Sequence, residues 1–469
     1  MTDSTVSFPP GKPFSRSIGV RGILLLTLSA ITPACSLFVL VPGIIQRAGT
    51  GAFLAMAAAG LIALAMSFVY AELASAYPLA GGEYAMIRRT LGPGAGFIFM
   101  GMYTIAGMVA PTALALGAAT YLEPLWPEAR PLPVALGIVG IGTGCAVLNI
   151  RLNAWVTGCF LMVEALALVV LTALGLDHIR RPILELIHSP LMLDGGVLRP
   201  ATIGALALAT SIGIFVYNGF GMAVYFTEEM HEAPRRIAKV IFAAFAVTVA
   251  LEFAPLTAVL LGAPNIGQML ASSSPFSLFV NETGGPWLNV AISLAIALAI
   301  LNAQIALTLM GARFFYSTAR DQVWHGVANR ALMRVHRRFD SPWVATLLTG
   351  AIGSAACFVP FNALLVLTGT WLVIMYALLC IGVTVGRTTG RTARSPYRMP
   401  LFPVAPLSCL LAFAYILYAD WMDPAVGRPS LIASAVMLLV ASAYYLVIRR
   451  SQSPGGRMVE PNEEPAEQP

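Results

Sequence analysis

The sequence predicts an all-α polytopic membrane protein. Of the 469 residues, 58% are hydrophobic and only 11% are charged, whereas a soluble domain carries roughly 25% charged residues. The chain also contains apolar runs of about 20 residues, the length with which a helix crosses a bilayer core roughly 30 Å thick. These runs are continuous rather than alternating, and a helix satisfies its own backbone hydrogen bonds in lipid. We therefore expect transmembrane helices.

About twelve transmembrane helices can be placed along the chain, and residues 21–450 form the predicted membrane domain. The N-terminal tail, residues 1–20, is polar and lacks the pattern of a removable signal peptide. The C-terminal tail, residues 451–469, is rich in Pro and Glu and is predicted to be disordered. The predicted spans are residues 22–45, 51–71, 95–121, 132–149, 154–176, 201–226, 238–262, 286–312, 342–360, 363–385, 401–419 and 430–448.

The basic residues, nearly all of them Arg, predict the orientation of the chain in the membrane. If the N-terminus is cytoplasmic, 22 of the 28 Lys and Arg residues fall on the cytoplasmic side of these spans. The positive-inside rule then places both termini in the cytoplasm, with the protein in the cytoplasmic membrane. The net charge of +6 is explained by this topology, so we expect no nucleic-acid partner.

Several function classes lack their characteristic residues. The six cysteines fall within apolar spans without metal-ligand spacing, so neither a metal site nor another cofactor is expected. The sequence contains no P-loop, HExxH motif or GxSxG elbow. We therefore predict neither an ATP-driven pump nor an enzyme.

Two predicted spans contain residues that interrupt a helix near the middle of the membrane. In the first span, residues 31–36 read Ile-Thr-Pro-Ala-Cys-Ser, and Pro33 removes a backbone donor. In the sixth, residues 217–221 read Tyr-Asn-Gly-Phe-Gly. The two spans are five apart and cross in opposite directions, which is typical of transporters built from inverted repeats. Kinks that serve packing alone are the alternative, because Pro and Gly are common in membrane helices.

Two acidic residues lie inside predicted spans, where a charge costs roughly 2.5–3.5 kcal/mol on insertion scales. Glu164 lies near the middle of the fifth span. It is a candidate proton carrier or counter-charge for a cationic substrate, and the alternative is a neutral acid hydrogen-bonded between helices. Glu252, in the outer half of the seventh span, is a weaker candidate for ion coupling because it could reach interfacial water.

Four segments resemble the amino acid/polyamine/organocation superfamily of permeases. Residues 72–84, continuing to Arg88, Arg89 and Gly92, are similar to its signature at the second span. The other three segments resemble the loop after its sixth span, the cytoplasmic end of its eighth and the entry to its eleventh. They are residues 226–237, 311–321 and 397–403, in the family's order and spacing.

The resemblance implies the leucine-transporter type of fold, a 5+5 inverted repeat with broken first and sixth helices. The repeats would be residues 21–176 and 201–385, with two extra helices at 401–448. Substrate would bind between the broken helices, and Phe220 would act as a gate. The implied substrate-binding residues are Thr32, Ala34, Cys35, Ser36, Phe215, Tyr217, Asn218, Gly219, Phe220 and Gly221.

The resemblance also implies a network of salt bridges that gates the cytoplasmic side. Solvated loop charges and positive-inside anchors are the alternative explanation for these residues. The residues concerned are Glu72, Glu228, Glu229, Arg313, Arg320 and Asp321.

Two departures from the family pattern bear on the substrate. Family members that bind an amino acid carboxylate usually have glycines in the first break, whereas this chain has Pro33 and residues with side chains. In addition, Glu164 falls where several sodium-independent members have a lysine. Both departures favour amines or cationic amino acids.

The sequence thus predicts a secondary transporter for amino acids or related amines, acting by alternating access. We expect proton coupling or exchange, with a small-molecule substrate and the lipid bilayer as partners and no nucleic acid. A polyamine or organic-amine transporter without a carboxylate site is the first alternative, and a solute sensor that does not transport is the second.

Overall fold

The computed structural model describes residues 18–104, 108–122, 126, 128–148, 150–324, 326–359, 361–424 and 427–451. Most of both predicted tails, residues 1–17 and 452–469, lies outside this part of the chain. The twelve predicted spans, numbered 1 to 12 in chain order, each correspond to helix. Span 1 consists of Val20–Ile31, Pro33–Cys35, a π-helical turn Ser36–Leu40 and Val41–Ala48; span 3 consists of Pro93–Met102 and Met108–Leu122; and span 6 consists of Ile203–Val216 and the 3-10 helix Phe220–Glu229. Each of the other spans is one helix: span 2, Ala52–Ala76; span 4, Pro131–Ala146; span 5, Ile150–Asp177; span 7, Ala233–Gly262; span 8, Pro286–Arg320; span 9, Trp343–Ala356; span 10, Phe361–Thr388; span 11, Val404–Met422; and span 12, Gly427–Ser451.

The predicted fold class, an all-α polytopic membrane protein, is confirmed. Within the described residues, eight helical stretches are long and apolar enough to cross a membrane. One of them, Val20–Ala76, contains spans 1 and 2. Spans 3, 4 and 9 contain the shorter apolar helices Pro93–Met102, Pro131–Ala146 and Trp343–Ala356. Six short helices connect the spans: Gly49–Gly51, Glu83–Leu91, Ile183–His188, Ile266–Ala271, Pro275–Thr283 and Gly326–Leu332.

Helix continues beyond the predicted ends of several spans, and in two of them, spans 8 and 10, the extension ends near an arginine. Span 8 continues past its predicted end at residue 312 to Arg320, and span 10 continues past residue 385 to Thr388. In both, an arginine occupies the last helical turn, where a cation interacts favourably with the negative end of the helix dipole. The predicted bounds stopped where hydrophobicity stopped, but the helices extend into polar sequence.

A β-hairpin between spans 5 and 6 was not predicted from the sequence. Its antiparallel strands are β1, Leu191–Asp194, and β2, Val197–Pro200. Gly195 and Gly196 connect them with φ of 58° and 82°, the left-handed backbone that a two-residue hairpin turn requires. The Leu191 N–H donates a hydrogen bond of 2.8 Å to the Thr50 hydroxyl. The hairpin therefore lies against the connection between spans 1 and 2.

Span 1 is interrupted where the sequence predicts. The first helix ends at Ile31, and Thr32 adopts left-handed backbone with φ 49° and ψ 72°. The helix restarts at Pro33, which as the first residue of the new segment has no N–H to leave unpaired. Span 1 packs against spans 5, 7 and 8 and the second half of span 6, so the interruption lies inside the bundle.

Span 6 is interrupted at residues 217–219, between its α-helix and its 3-10 helix. Gly219 has φ 121°, a conformation that L-residues rarely adopt. A Cβ at Gly219 would also lie 2.5 Å from Cγ1 of Ile31, the residue that precedes the break in span 1. The glycine is therefore needed both for the backbone turn and for the close approach of the two broken spans.

Gly219→Ala is expected to lower the thermal unfolding temperature of the purified protein by several degrees. The strained backbone alone costs roughly 1–3 kcal/mol, and Ile31 must also move. Gly204→Ala is the matched control, because this span 6 glycine has nothing within 4 Å of an added Cβ. Unfolding can be followed by intrinsic fluorescence. Equal unfolding temperatures for the two variants would contradict the packing role of Gly219.

Candidate functional site

An internal cavity lies between the two interrupted spans. Its volume, measured as the space open to the centres of water molecules, is ≈ 120 Å³. Residues from spans 1, 2, 3, 6, 8 and 10 line it, together with Glu83 from the helix after span 2. The wall is mostly apolar, with a few polar groups, as is usual for a small-molecule site. The lining residues are Ala30, Ile31, Ser36, Leu40, Tyr70, Glu83, Tyr103, Pro111, Ala113, Leu114, Phe215, Asn218, Gly221, Met222, Tyr225, Leu307, Met310, Trp371, Leu372 and Met375.

Four of the ten predicted substrate-binding residues line this cavity: Ser36, Phe215, Asn218 and Gly221. The Asn218 side-chain oxygen accepts a hydrogen bond of 2.8 Å from the Tyr376 hydroxyl, which fixes its orientation. The other six are buried behind the wall: Thr32, Ala34, Cys35, Tyr217, Gly219 and Phe220.

Phe220, the predicted gate, is fully buried between two aromatic rings. Its ring meets those of Tyr70 and Phe245 edge to face, with centroids 5.7 and 5.9 Å apart. Such pairs stabilise packing beyond the area they bury. In this conformation Phe220 supports Tyr70, which itself lines the cavity.

Glu164 of span 5 binds the interruption of span 1. Its Oε1 accepts hydrogen bonds of 2.8 Å from the Ala34 N–H and 3.1 Å from the Thr32 hydroxyl. Asn302 of span 8 lies close enough to interact with the carboxyl group. However, neither its amide nor Glu164 Oε2 has a hydrogen bond of good geometry among the described residues. Glu164 is fully buried. Its contact with the Ala34 N–H is possible because the break in span 1 leaves this backbone group free of a helical partner.

Glu252 of span 7 does not reach interfacial water, contrary to the expectation from its position along the chain. It is fully buried, because the face of span 7 that carries it packs against spans 1, 2 and 5. Its carboxyl group interacts electrostatically with Ser36 and Glu164. Neither of its oxygens, however, forms a hydrogen bond of good geometry within the described ranges. Glu252 thus lies with Glu164 beside the interruption of span 1.

All six predicted gating residues form ion pairs on the side of the bundle where span 1 begins, called the arginine-rich side below. Arg313 donates a 2.7 Å hydrogen bond to Glu229, and both side chains are only 3% exposed. Two hydrogen bonds of 2.9 and 2.7 Å connect Arg320 to Glu228. Asp321 pairs with Arg88, and Glu72 accepts two bonds from Arg387 at 2.7 and 2.6 Å.

The burial of these charges does not fit a set of solvated loop charges. Glu72 is fully buried, as is the pair of Arg313 and Glu229. Glu228 also accepts a 3.0 Å hydrogen bond from the Ala80 N–H. The network therefore joins the connection after span 2 to spans 6 and 8. Its members Arg88 and Arg387 were not among the predicted residues, since one lies on a connecting helix and the other beyond a predicted span end.

Glu83 lines the cavity and belongs to the motif at the second span, but no role was predicted for it. It is 4% exposed and lines the cavity, and its Oε1 accepts a 3.0 Å hydrogen bond from the Tyr70 hydroxyl. Burial raises the pKa of Glu83, while hydrogen bonding to Tyr225, its own backbone and Tyr70 lowers it to a smaller extent.

The pair of glycines before Glu83 explains why this residue is buried rather than in a solvated loop. Gly82 has φ 55°, and a Cβ there would lie 2.5 Å from the ring of Tyr225. The chain can therefore pass directly under span 6 and return Glu83 to the bundle. An acidic residue directly after two glycines was the signal available in the sequence.

Two interrupted helices around an internal cavity in a helical bundle define a membrane transporter. The amino acid permease family model matches residues 18–447. The chain belongs to that family and is a multi-pass membrane transporter.

Proteins similar over most of their length support this assignment. An uncharacterized transporter of Mycobacterium tuberculosis is 27% identical, covering 92% of this chain and 91% of that protein. The large neutral amino acids transporter small subunit 2 of Oryctolagus cuniculus is 24% identical, covering 93% and 83%. The Asc-type amino acid transporter 1 of Homo sapiens is 27% identical, covering 81% and 74%.

Proposed function

We propose that the protein is a secondary active transporter of amino acids or related amines across the cytoplasmic membrane. The observation that carries this proposal is the cavity of ≈ 120 Å³ at the junction of two interrupted spans. Such sites allow one part of a bundle to rock against the other around a bound solute. The names of the similar proteins, two of them amino acid transporters, favour solutes of this class.

The arginine-rich side is assigned to the cytoplasm by the positive-inside rule. Its four ion pairs would close the cytoplasmic entrance in this conformation, and they would separate when the entrance opens. We also propose that residues 21–176 and 201–385 form two inverted repeats, and that alternating access follows when one bundle of helices rocks against the other around the cavity.

An amine substrate is the second candidate, and the hydrogen bonds of the first break favour it. The Thr32 N–H donates to Leu28 and the Ser36 N–H to Thr32, while the Ala34 N–H donates to Glu164. Pro33 has no N–H. Four of the backbone positions at which a substrate carboxylate would bind are therefore occupied or lack a donor.

Uptake by reconstituted protein tests the proposed function. Proteoliposomes with an imposed pH gradient are given pairs of radiolabelled solutes, each amino acid beside its decarboxylated amine. We expect accumulation of at least one pair member above the level of protein-free liposomes. Preference for the amino acid indicates a carboxylate site despite Pro33, and preference for the amine indicates a site for cations. If solutes bind to the protein but none accumulates or exchanges, the protein is a sensor and the proposal is wrong.

Proton coupling through Glu164 is proposed over sodium coupling. Glu164 contacts the backbone at the break, so a change in its protonation directly alters the hydrogen bonds of Ala34 and Thr32. This would link a proton to the conformation of span 1.

A further inference from the structure

One end of the cavity carries an acidic group whose hydrogen bonds are incomplete. Among the described residues that line the cavity, Glu83 is the one acidic side chain, and no Lys, Arg or His lines it. Its Oε2 is buried next to the Tyr225 hydroxyl and interacts with it, yet neither atom has a hydrogen bond of good geometry among the described residues. A buried polar atom without a partner costs free energy. Two such atoms beside an empty space indicate that a ligand donates to this end of the cavity.

Aromatic rings surround this acidic end. The rings of Tyr103 and Tyr225 stack with centroids 6.2 Å apart, and Trp371 meets Tyr103 at 6.1 Å. All three residues line the cavity, as does Tyr70, whose hydroxyl donates to Glu83. The face of an aromatic ring attracts a cation. A carboxyl group among such faces is suited to an ammonium ion.

We propose that Glu83 and the aromatic groups of Tyr70, Tyr103, Tyr225 and Trp371 form a binding site for the ammonium group of the transported solute. This inference rests on the proposed function and adds to it the way in which the solute is held. Glu83 provides the counter-charge and the rings form the walls. The solute therefore points its ammonium group toward Glu83 and its carbon skeleton toward the apolar wall that contains Leu114 and Met310.

Glu83 rather than Glu164 is thus the acidic residue that faces the solute. Glu164 lies behind the cavity wall, and one of its oxygens is already bound to Ala34 and Thr32. The two carboxyl groups therefore have separate roles: Glu83 holds the amine and Glu164 holds the interruption of span 1. A substrate carboxylate at the Glu83 end would meet a negative group and no cation among the described lining residues.

Binding to the purified full-length protein in detergent tests this inference. The probes are leucine, its decarboxylated amine isoamylamine, and sodium chloride against potassium chloride at equal ionic strength. Binding is measured by isothermal titration calorimetry. Glu83→Gln is expected to weaken isoamylamine binding at least about tenfold, since it removes a charge-assisted hydrogen bond. Tyr225→Phe keeps the ring beside Gly82 and is expected to weaken binding about threefold, as for a neutral hydrogen bond.

Glu282→Gln is the matched control, because it neutralises an exposed carboxylate outside the cavity. Unchanged isoamylamine affinity in both Glu83→Gln and Tyr225→Phe would overturn the inference. A response to sodium that disappears in Glu83→Gln, with no binding of isoamylamine, would also overturn it and assign the site to an inorganic cation. If Glu83→Gln fails to fold, Tyr225→Phe alone decides. Uptake by the unsubstituted protein distinguishes the two proposals. If this protein transports a solute whose binding does not depend on Glu83, the ammonium site is wrong and the proposed transport function stands.

Discussion

Glu164→Gln is expected to abolish accumulation driven by a pH gradient while leaving substrate binding detectable. Glutamine keeps an oxygen that accepts from the Ala34 N–H and the Thr32 hydroxyl, which Glu164 binds at 2.8 and 3.1 Å. It cannot release a proton. The break in span 1 therefore keeps its shape, but the proposed coupling group is lost.

The measurement compares three activities in proteoliposomes. We expect accumulation under a pH gradient to fall to the level of protein-free liposomes. Solute affinity should stay within about threefold, because Glu164 is not among the residues that line the cavity. Exchange of internal for external solute should persist. Glu282→Gln controls for neutralising an exposed carboxylate, and Glu252→Gln tests the neighbouring buried acid. Unchanged accumulation in Glu164→Gln would exclude Glu164 as the proton carrier.

The breaks and the spans were predictable from the sequence because their causes are local. A continuous apolar run of about 20 residues satisfies its backbone hydrogen bonds only as a helix in lipid. Pro33 interrupts the i to i−4 bonding wherever it is placed, and Gly219 permits a backbone angle that other residues avoid. The presence of both interruptions therefore followed from residue type and depth.

The composition of the cavity wall was less predictable because it depends on how the helices rotate and pack. Thr32 and Ala34 were predicted as substrate contacts, but they bind Glu164 behind the wall. Tyr70 and Trp371 line the cavity, although aromatic residues in membrane helices commonly serve packing. Glu83 was hidden for a different reason. It lies in a polar connecting segment, and the two glycines before it permit a sharp turn but do not show that the turn leads back into the bundle.

The ion pairs illustrate the same limit. The sequence placed the acidic and basic residues on one side of the membrane, but it gave neither their partners nor their burial. Span 8 continues as helix to Arg320, and this extension brings Arg313 and Arg320 to face Glu229 and Glu228 of span 6. The partners could be assigned only once the helix length and rotation were known.

Removing one member of the pair between Arg313 and Glu229 is expected to have the largest effect on stability. Both side chains are 3% exposed, and Arg313 also donates to the Leu309 carbonyl at 2.8 Å and stacks over the Phe226 ring. Glu229→Leu removes the carboxylate that accepts a hydrogen bond from the buried guanidinium of Arg313. Breaking a buried pair in this way costs roughly 3–5 kcal/mol. We expect most of the variant protein to aggregate when extracted in detergent, as measured by fluorescence-detected size-exclusion chromatography.

Replacing both members separates stability from gating. The double variant Arg313→Met with Glu229→Leu removes both charges and fills the space with apolar side chains, and such replacements are often neutral or stabilising. We expect its thermal unfolding temperature to recover to near that of the unsubstituted protein. Arg199→Met with Asp194→Leu is the matched control, because this pair is exposed on the β-hairpin at 64% and 57% and should contribute little.

If the buried pair gates the cytoplasmic entrance, the recovered double variant will still transport differently. A charge pair stabilises the closed state because its two groups are in contact only there, whereas apolar side chains can pack in both the closed and the open state. We therefore expect the closed state of the cytoplasmic side to become less favourable, so that cysteine-reactive reagents applied from that side reach the cavity faster at Ser36→Cys. Recovery of stability with unchanged reagent access and unchanged transport would assign the pair to packing alone.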